Sequence, residues 1–107
     1  MRRGDLVTVA LQGSFGKSRP ALSIQSDLYD EHPSMTVLPV TSELRETPLF
    51  RITLEPNTDN GLHKSSQIMV DKAQTISREK IGQVIGRLND DDLVAVNRAL
   101  VVFLGFA

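Results

Sequence analysis

Lys17-Ser18-Arg19-Pro20-Ala21-Leu22-Ser23-Ile24 is the stretch on which the fold turns. Proline fixes φ and cannot donate to a ladder, so Pro20 marks the mouth of a strand rather than its middle. A guanidinium at Arg19 is therefore rigidly based. Downstream, Met35-Thr36-Val37-Leu38-Pro39-Val40 is a second strand-like run that ends in Thr41-Ser42, two hydroxyls at a strand end. An arginine and hydroxyls so placed are phosphate-sized donors, and together they make a candidate oxyanion site.

Working outward, residues 4–11 are β-branched and partly alternating, which predicts a strand. Residues 12–18 carry two glycines and two serines and read as a short loop with one aromatic, Phe15. Residues 20–25 form the second strand, Ser26-Asp27 a turn or cap, and 28–31 one helical turn stopped at His32-Pro33. The third strand is 35–41. Residues 49–54 alternate as a half-buried strand with Arg51 and Thr53 on one face, 56–61 are turn-rich, and 66–70 are a fifth strand running on towards Thr75-Ile76. Many short, closely spaced strands predict an α+β, mainly β fold: a small curled antiparallel sheet or SH3-like barrel of five to six strands.

The C-terminal third changes period. Asn89 can cap a helix whose first turn, Asp90, Asp91 and Asp92, complements the positive end of the dipole, with Asp92 at the third position of a capping-box-like start. Leu93, Val96, Leu100, Phe103 and Leu104 share one apolar face, and Gly105 is a stop. Val94, Val101 and Val102 widen that stripe, which reads equally well as a partner surface or as a deeper core.

At 107 residues the chain predicts one domain, 1–107. A hydrophobic fraction of 40% and a charged fraction of 23% are ordinary for a globular protein. The absence of cysteine excludes disulfides and thiolate metal sites and fits a reducing cytoplasm. No signal-like h-region follows Met1-Arg2-Arg3-Gly4-Asp5, and no apolar run reaches membrane-spanning length, so no membrane role is expected. A net charge of −1 argues against a simple nucleic-acid binder, because phosphate binding leaves a basic footprint. Distribution softens that argument. Arg2, Arg3, Lys17 and Arg19 gather in the first fifth, Arg45, Arg51, His63 and Lys64 add to the middle, and the acidic run lies near the C-terminus.

Phosphoryl chemistry at such an oxyanion site, if metal-free, needs a base, donors for the charge that develops on the phosphoryl oxygens and an acid. His32 and His63 lack neighbouring carboxylates and read as surface or turn residues rather than catalysts. Asp27, Asp30, Glu31 and His32 fall on a turn without a matching second group, and Asp27 reads more simply as a cap, so no metal site or other cofactor is expected. What remains is Arg19 with Thr41 and Ser42. Taken singly, Arg19 also reads as a surface arginine paired with a local carboxylate, and Thr41 as a hydroxyl bonding its own backbone.

The order Arg3-Gly4-Asp5, Arg19-Pro20-Ala21-Leu22, Leu38-Pro39-Val40-Thr41-Ser42, Val70-Asp71-Lys72-Ala73-Gln74-Thr75-Ile76 and Ile85-Gly86-Arg87-Leu88 before an acidic helix start resembles the MazF/PemK family of toxin ribonucleases from bacterial toxin–antitoxin systems. The resemblance implies a metal-independent, sequence-specific endoribonuclease that cuts single-stranded RNA to a 2′,3′-cyclic phosphate and a 5′-hydroxyl. It implies a homodimer with a shared RNA groove, neutralised by a cognate antitoxin, with DNA reached only through the antitoxin complex. It places catalysis on Arg19 and Thr41 and RNA binding on Lys17, Ser18, Ser42, Gly13, Ser14, Phe15 and Arg45, with Asp71 and Gln74 in support. Two departures stand out: the 12–18 loop lacks the acid or histidine many members carry, and Met69 stands where some have arginine. Alternatives are a CcdB-like gyrase-binding toxin, to which Phe103, Gly105 and Phe106 bear a superficial likeness, and a non-catalytic RNA-binding barrel.

Overall fold

The structure, a computed structural model, describes residues 1–10 and 17–106. Its centre is a leucine ladder. Strands β1 (Asp5–Val9), β2 (Arg19–Ser23) and β3 (Ser34–Thr41) are antiparallel neighbours whose register sets Leu6 opposite Leu22 and Leu22 opposite Leu38. All three leucines are fully buried, and each such burial stabilises by about 2 kcal/mol. Because successive side chains alternate, the intervening Val7, Val9, Ala21 and Val37 point the other way and form a second, smaller cluster with Met1, Ile76 and Ile81. Both faces of the three central strands are thus covered.

Among the described residues the sheet has seven strands rather than five or six, in the order β4 (Arg51–Leu54), β5 (Ser66–Met69), β3, β2, β1 and β7 (Ile81–Arg87), with β6 (Gln74–Ser77) also on β3, and its end strands β4 and β7 do not pair, so it is open. The strand absent from the sequence reading is β7, Ile-Gly-Gln-Val-Ile-Gly-Arg, whose two glycines resemble turn punctuation. Both are there for close approach. A Cβ at Gly82 would collide with Thr8 Oγ1, and one at Gly86 with the Asn60 carbonyl. The pairing of β7 with β1 slips twice between Leu6 and Val9, which bends the ribbon.

The run expected to continue from 66 to 76 does so in two pieces along one edge of β3. Strand β5 (Ser66–Met69) pairs Gln67 with Thr41 and Ile68 with Val40, whereas β6 (Gln74–Ser77) pairs Gln74 with Val37 and Ser77 with Ser34. The paired numbers sum to 108 in the first piece and 111 in the second, so three residues are extruded. They are the 3-10 turn Val70–Lys72, which buries Val70. As expected, Arg51 and Thr53 share a face: both bond the Gln67 side chain from across the β4–β5 pair.

Helix α1 (Asp90–Leu104) lies over the leucine ladder and buries Val96, Ala99 and Leu100 there. Asn89 caps it by accepting from Asp92 N at 2.8 Å. Gly105, at φ 80°, ends it as a Schellman turn, with Phe106 N reaching Val101 O. The predicted face holds through Leu100 only. Phe103 and Leu104 remain about half exposed, and Val94, Val101 and Val102 are exposed as well, so the extra apolar stripe does not deepen the core. At the short turn Asp27–Tyr29 the cap is Ser26, not Asp27. The Asp27 carboxylate instead accepts from Arg3 N, 24 residues away.

Candidate active site

The ends of β2 and β3 meet at a cleft of about 730 Å³. The β2–β3 ladder is paired as far as Ala21 with Pro39, and beyond that pair the two strands run on to Arg19 and Thr41. Both line the cleft, with Ser18 and Ser42 beside them. Pro20 and Pro39 stiffen the two strand ends behind these side chains. Thr41 Oγ1 accepts from Glu43 N at 3.1 Å. A hydroxyl carries one donor and two lone pairs, so this bond orients Thr41 while leaving its O–H free to donate. Among the described residues Arg19 has no ion-pair partner, and it is exposed. The local-carboxylate reading of Arg19 is therefore not what the structure shows, whereas the local backbone bond of Thr41 is present and compatible with a second role.

Two residues that sequence reasoning counted among the basic residues of the middle of the chain, without placing them in the site, reach the same cleft: His63 and Lys64. They belong to the 55–65 connection, which is tied down along its length. Asn57 Oδ1 accepts from Asp59 N and Asn60 N, and the buried Asn60 side chain accepts from Asn57 N and Leu62 N and donates to Glu55 O. Gly61, at φ 68°, lies so close to the Ile85 carbonyl that a Cβ would collide with it, and Arg87 N donates to Asp59 O at 2.7 Å. Leu62 is buried in the core. The chain therefore emerges from a clamp against β7 just where His63 and Lys64 begin, and Ser66 Oγ donates back to Lys64 O. Loops held by a rigid scaffold are where binding chemistry concentrates. The asparagine and glycine spacing of this connection is readable as a turn, but its docking against β7 is a tertiary fact.

The charges of the cleft are thus Arg19 and Lys64, with an imidazole, against the single carboxylate of Glu43, which is bridged to Arg45 at 2.7 Å. A site of net positive character exists on a chain of charge −1 because the local field, not the sum, acts on a ligand.

This pairing of an Arg-Pro strand mouth with a Thr-Ser strand end, on an open antiparallel sheet under one helix, coincides with a family match. The model of the PemK-like, MazF-like toxins of type II toxin–antitoxin systems matches residues 2–104. The chain belongs to that family. A protein of Mycolicibacterium smegmatis named "Probable endoribonuclease MazF" is 45% identical, the match covering 100% of this chain and 99% of the relative. A solved MazE–MazF structure from Deinococcus radiodurans superposes with a TM-score of 0.80 at 26% identity, over 98% of this chain and 95% of that one. An endoribonuclease solved with its cognate antitoxin from a mycobacterial species has a TM-score of 0.84, over 100% of this chain and 97% of that one. At 19% identity that likeness concerns the fold. The family match and the names of the relatives favour the ribonuclease reading over a gyrase-binding toxin or a catalytically silent barrel.

Of the residues the family resemblance nominated, Arg19, Thr41, Ser18 and Ser42 come together in the cleft. Lys17 is exposed next to Ser18 but does not line it. Arg45 lines a separate groove of about 510 Å³ with Arg51, Thr53 and Gln67, where its backbone N–H bonds Gln67 Oε1. Asp71 sits in the extruded turn, 3.8 Å from Lys72, and Gln74 is exposed on β6; neither lines the cleft. Gly13, Ser14 and Phe15 lie outside the described residues. Met69, at the position where arginine was expected by analogy, lines the cleft as an apolar wall. Arg3 is spent elsewhere: it bonds Ile24 O and Asn97 Oδ1 and so belongs to the scaffold rather than to a basic patch. No helix among the described residues is long and apolar enough to cross a membrane.

Proposed function

We propose that this chain is the toxin of a toxin–antitoxin pair and cleaves single-stranded RNA at the β2–β3 cleft. The observation that carries this reading is that Arg19 and Thr41, at the ends of neighbouring strands, line one cleft. A guanidinium grips a phosphate bidentately and stays charged throughout, and the free O–H of Thr41 donates to the oxygen that gains charge as phosphorus becomes five-coordinate. The nucleophile is the substrate's own 2′-hydroxyl. Attack forms the P–O2′ bond and breaks the P–O5′ bond, leaving a 2′,3′-cyclic phosphate and a 5′-hydroxyl. Ser18, Ser42 and Lys64 bind the adjoining backbone.

The unpartnered apolar end of α1, with the Phe50–Phe103 pair at 6.4 Å between ring centres, supports a homodimer that brings two such clefts together. An antitoxin with a disordered acidic segment fits the positive cleft by coupled folding and binding. The test is product analysis on a synthetic RNA in excess EDTA. Cleavage is expected to persist, to leave the cyclic phosphate, and to fail on an RNA with a 2′-deoxy sugar at the cut site, which should still bind. Cleavage of the deoxy substrate would falsify the mechanism. Sedimentation should show a dimer at tens of micromolar, roughly where an obligate dimer persists; a monomer there would remove the shared groove.

A further inference from the structure

We propose that His63 is the general acid of the cleft, delivering the proton to the departing 5′-oxygen; this rests on the ribonuclease reading above. The step balances without any co-reactant. The 2′-oxygen gives up its proton and bonds phosphorus, the P–O5′ electron pair stays on O5′, and O5′ takes a proton from the imidazole.

Elimination among the lining side chains leads to His63. Guanidinium and ammonium side chains are as a class poor proton donors near neutrality, and hydroxyls such as that of Thr41 are far weaker acids still. The Glu43 carboxylate, bridged to Arg45, can only accept when ionised, which suits it to the 2′-hydroxyl proton rather than to the leaving group. Imidazole alone among these exchanges a proton readily near neutrality. Placement points the same way. The clamp that docks residues 57–61 against β7 fixes the backbone from which His63 projects, and His63 has no hydrogen-bond partner among the described residues. The other imidazole, His32, accepts from Ser34 N and lies outside the cleft.

The decisive experiment compares two oligoribonucleotides, one ordinary and one in which sulfur replaces the bridging 5′-oxygen at the cut site, because a thiolate departs without protonation. His63→Ala should slow cleavage of the ordinary RNA by on the order of 10²-fold and cleave the sulfur-bridged RNA at about the wild-type rate. His63→Asn, which keeps a polar side chain, should behave as His63→Ala does. Unchanged melting and unchanged binding of the 2′-deoxy RNA establish that the variants are folded. Equal slowing of both substrates, or no slowing of either, overturns the assignment. A wild-type protein that cuts no RNA overturns the functional reading itself, a result distinguishable from a wild type that cuts and a variant that cuts equally well.

Discussion

Arg87 and Arg19 are the same side chain put to opposite uses. Arg87, on β7, is consumed: its guanidinium donates to Asp5 Oδ1 at 2.9 Å and to Arg3 O at 3.0 Å, so that β7 and the start of β1 meet at one cation. Arg3 is consumed likewise by Ile24 O and Asn97 Oδ1. Arg19 stands at an open strand end without an ion-pair partner among the described residues. A guanidinium tied to the scaffold by two of its five donors is held in place by it, whereas a free one, with its backbone fixed by Pro20, is available to bind a phosphate. The difference separates scaffold from site more sharply than any count of basic residues.

The contrast breaks most visibly at Arg19. Arg19→Ala should lower RNA cleavage by on the order of 10²–10³-fold, about 3–4 kcal/mol of lost transition-state stabilisation. Its melting temperature should be nearly unchanged, because an exposed strand-end residue adds little to the core. Full activity with a normal melting profile would remove the phosphate site from Arg19. Arg87→Ala should do the reverse. Losing charge-assisted bonds to Asp5 and the Arg3 carbonyl should cost about 1–3 kcal/mol in stability, read by urea titration, while the remaining folded protein cleaves RNA at near the wild-type rate. If Arg87→Ala proves as stable as the parent but inactive, the division between the two arginines fails. Thr41→Val comes next. Removing one hydroxyl donor while Arg19 remains should slow cleavage by roughly tenfold, about 1.4 kcal/mol, and should not weaken binding of the 2′-deoxy RNA.

Sequence carried the β2–β3 half of this picture because its evidence is local. Pro20 and Pro39 mark strand positions, hydroxyls follow Val40, and the order of motifs matches a family; the helix start at Asn89 and stop at Gly105 are also local chemistry. What it did not carry is long-range. Strand β7 was obscured because Gly82 and Gly86 look like turn residues until Thr8 and Asn60 are seen pressing against them. The break between β5 and β6 shows only in the shifted register on β3. His63 and Lys64 carry no local sign of function, since what brings them to the cleft is the docking of residues 57–61 on β7. Arg3, read as part of a basic cluster, is claimed by a helix 94 residues away in the chain.

Lys64 supplies the gentlest test of that comparison. Like Arg19 it is an exposed cation at the cleft, yet its charge sits on a flexible stem rather than on a planar fork, so it is suited to hold the RNA backbone as a point charge and not to follow the developing geometry at phosphorus. Lys64→Ala should therefore weaken RNA binding by only a few-fold, leave the rate at saturating RNA unchanged, and do so equally for substrates of different sequence. Removing one phosphate contact from a single-strand binder reduces the slope of log affinity against log salt by about 0.7. A salt titration of the 2′-deoxy RNA against both proteins reads that number directly. An unchanged slope would mean that Lys64, despite lining the cleft, is not paired with phosphate; a drop in the saturated rate would place it beside Arg19 among the groups that stabilise the transition state.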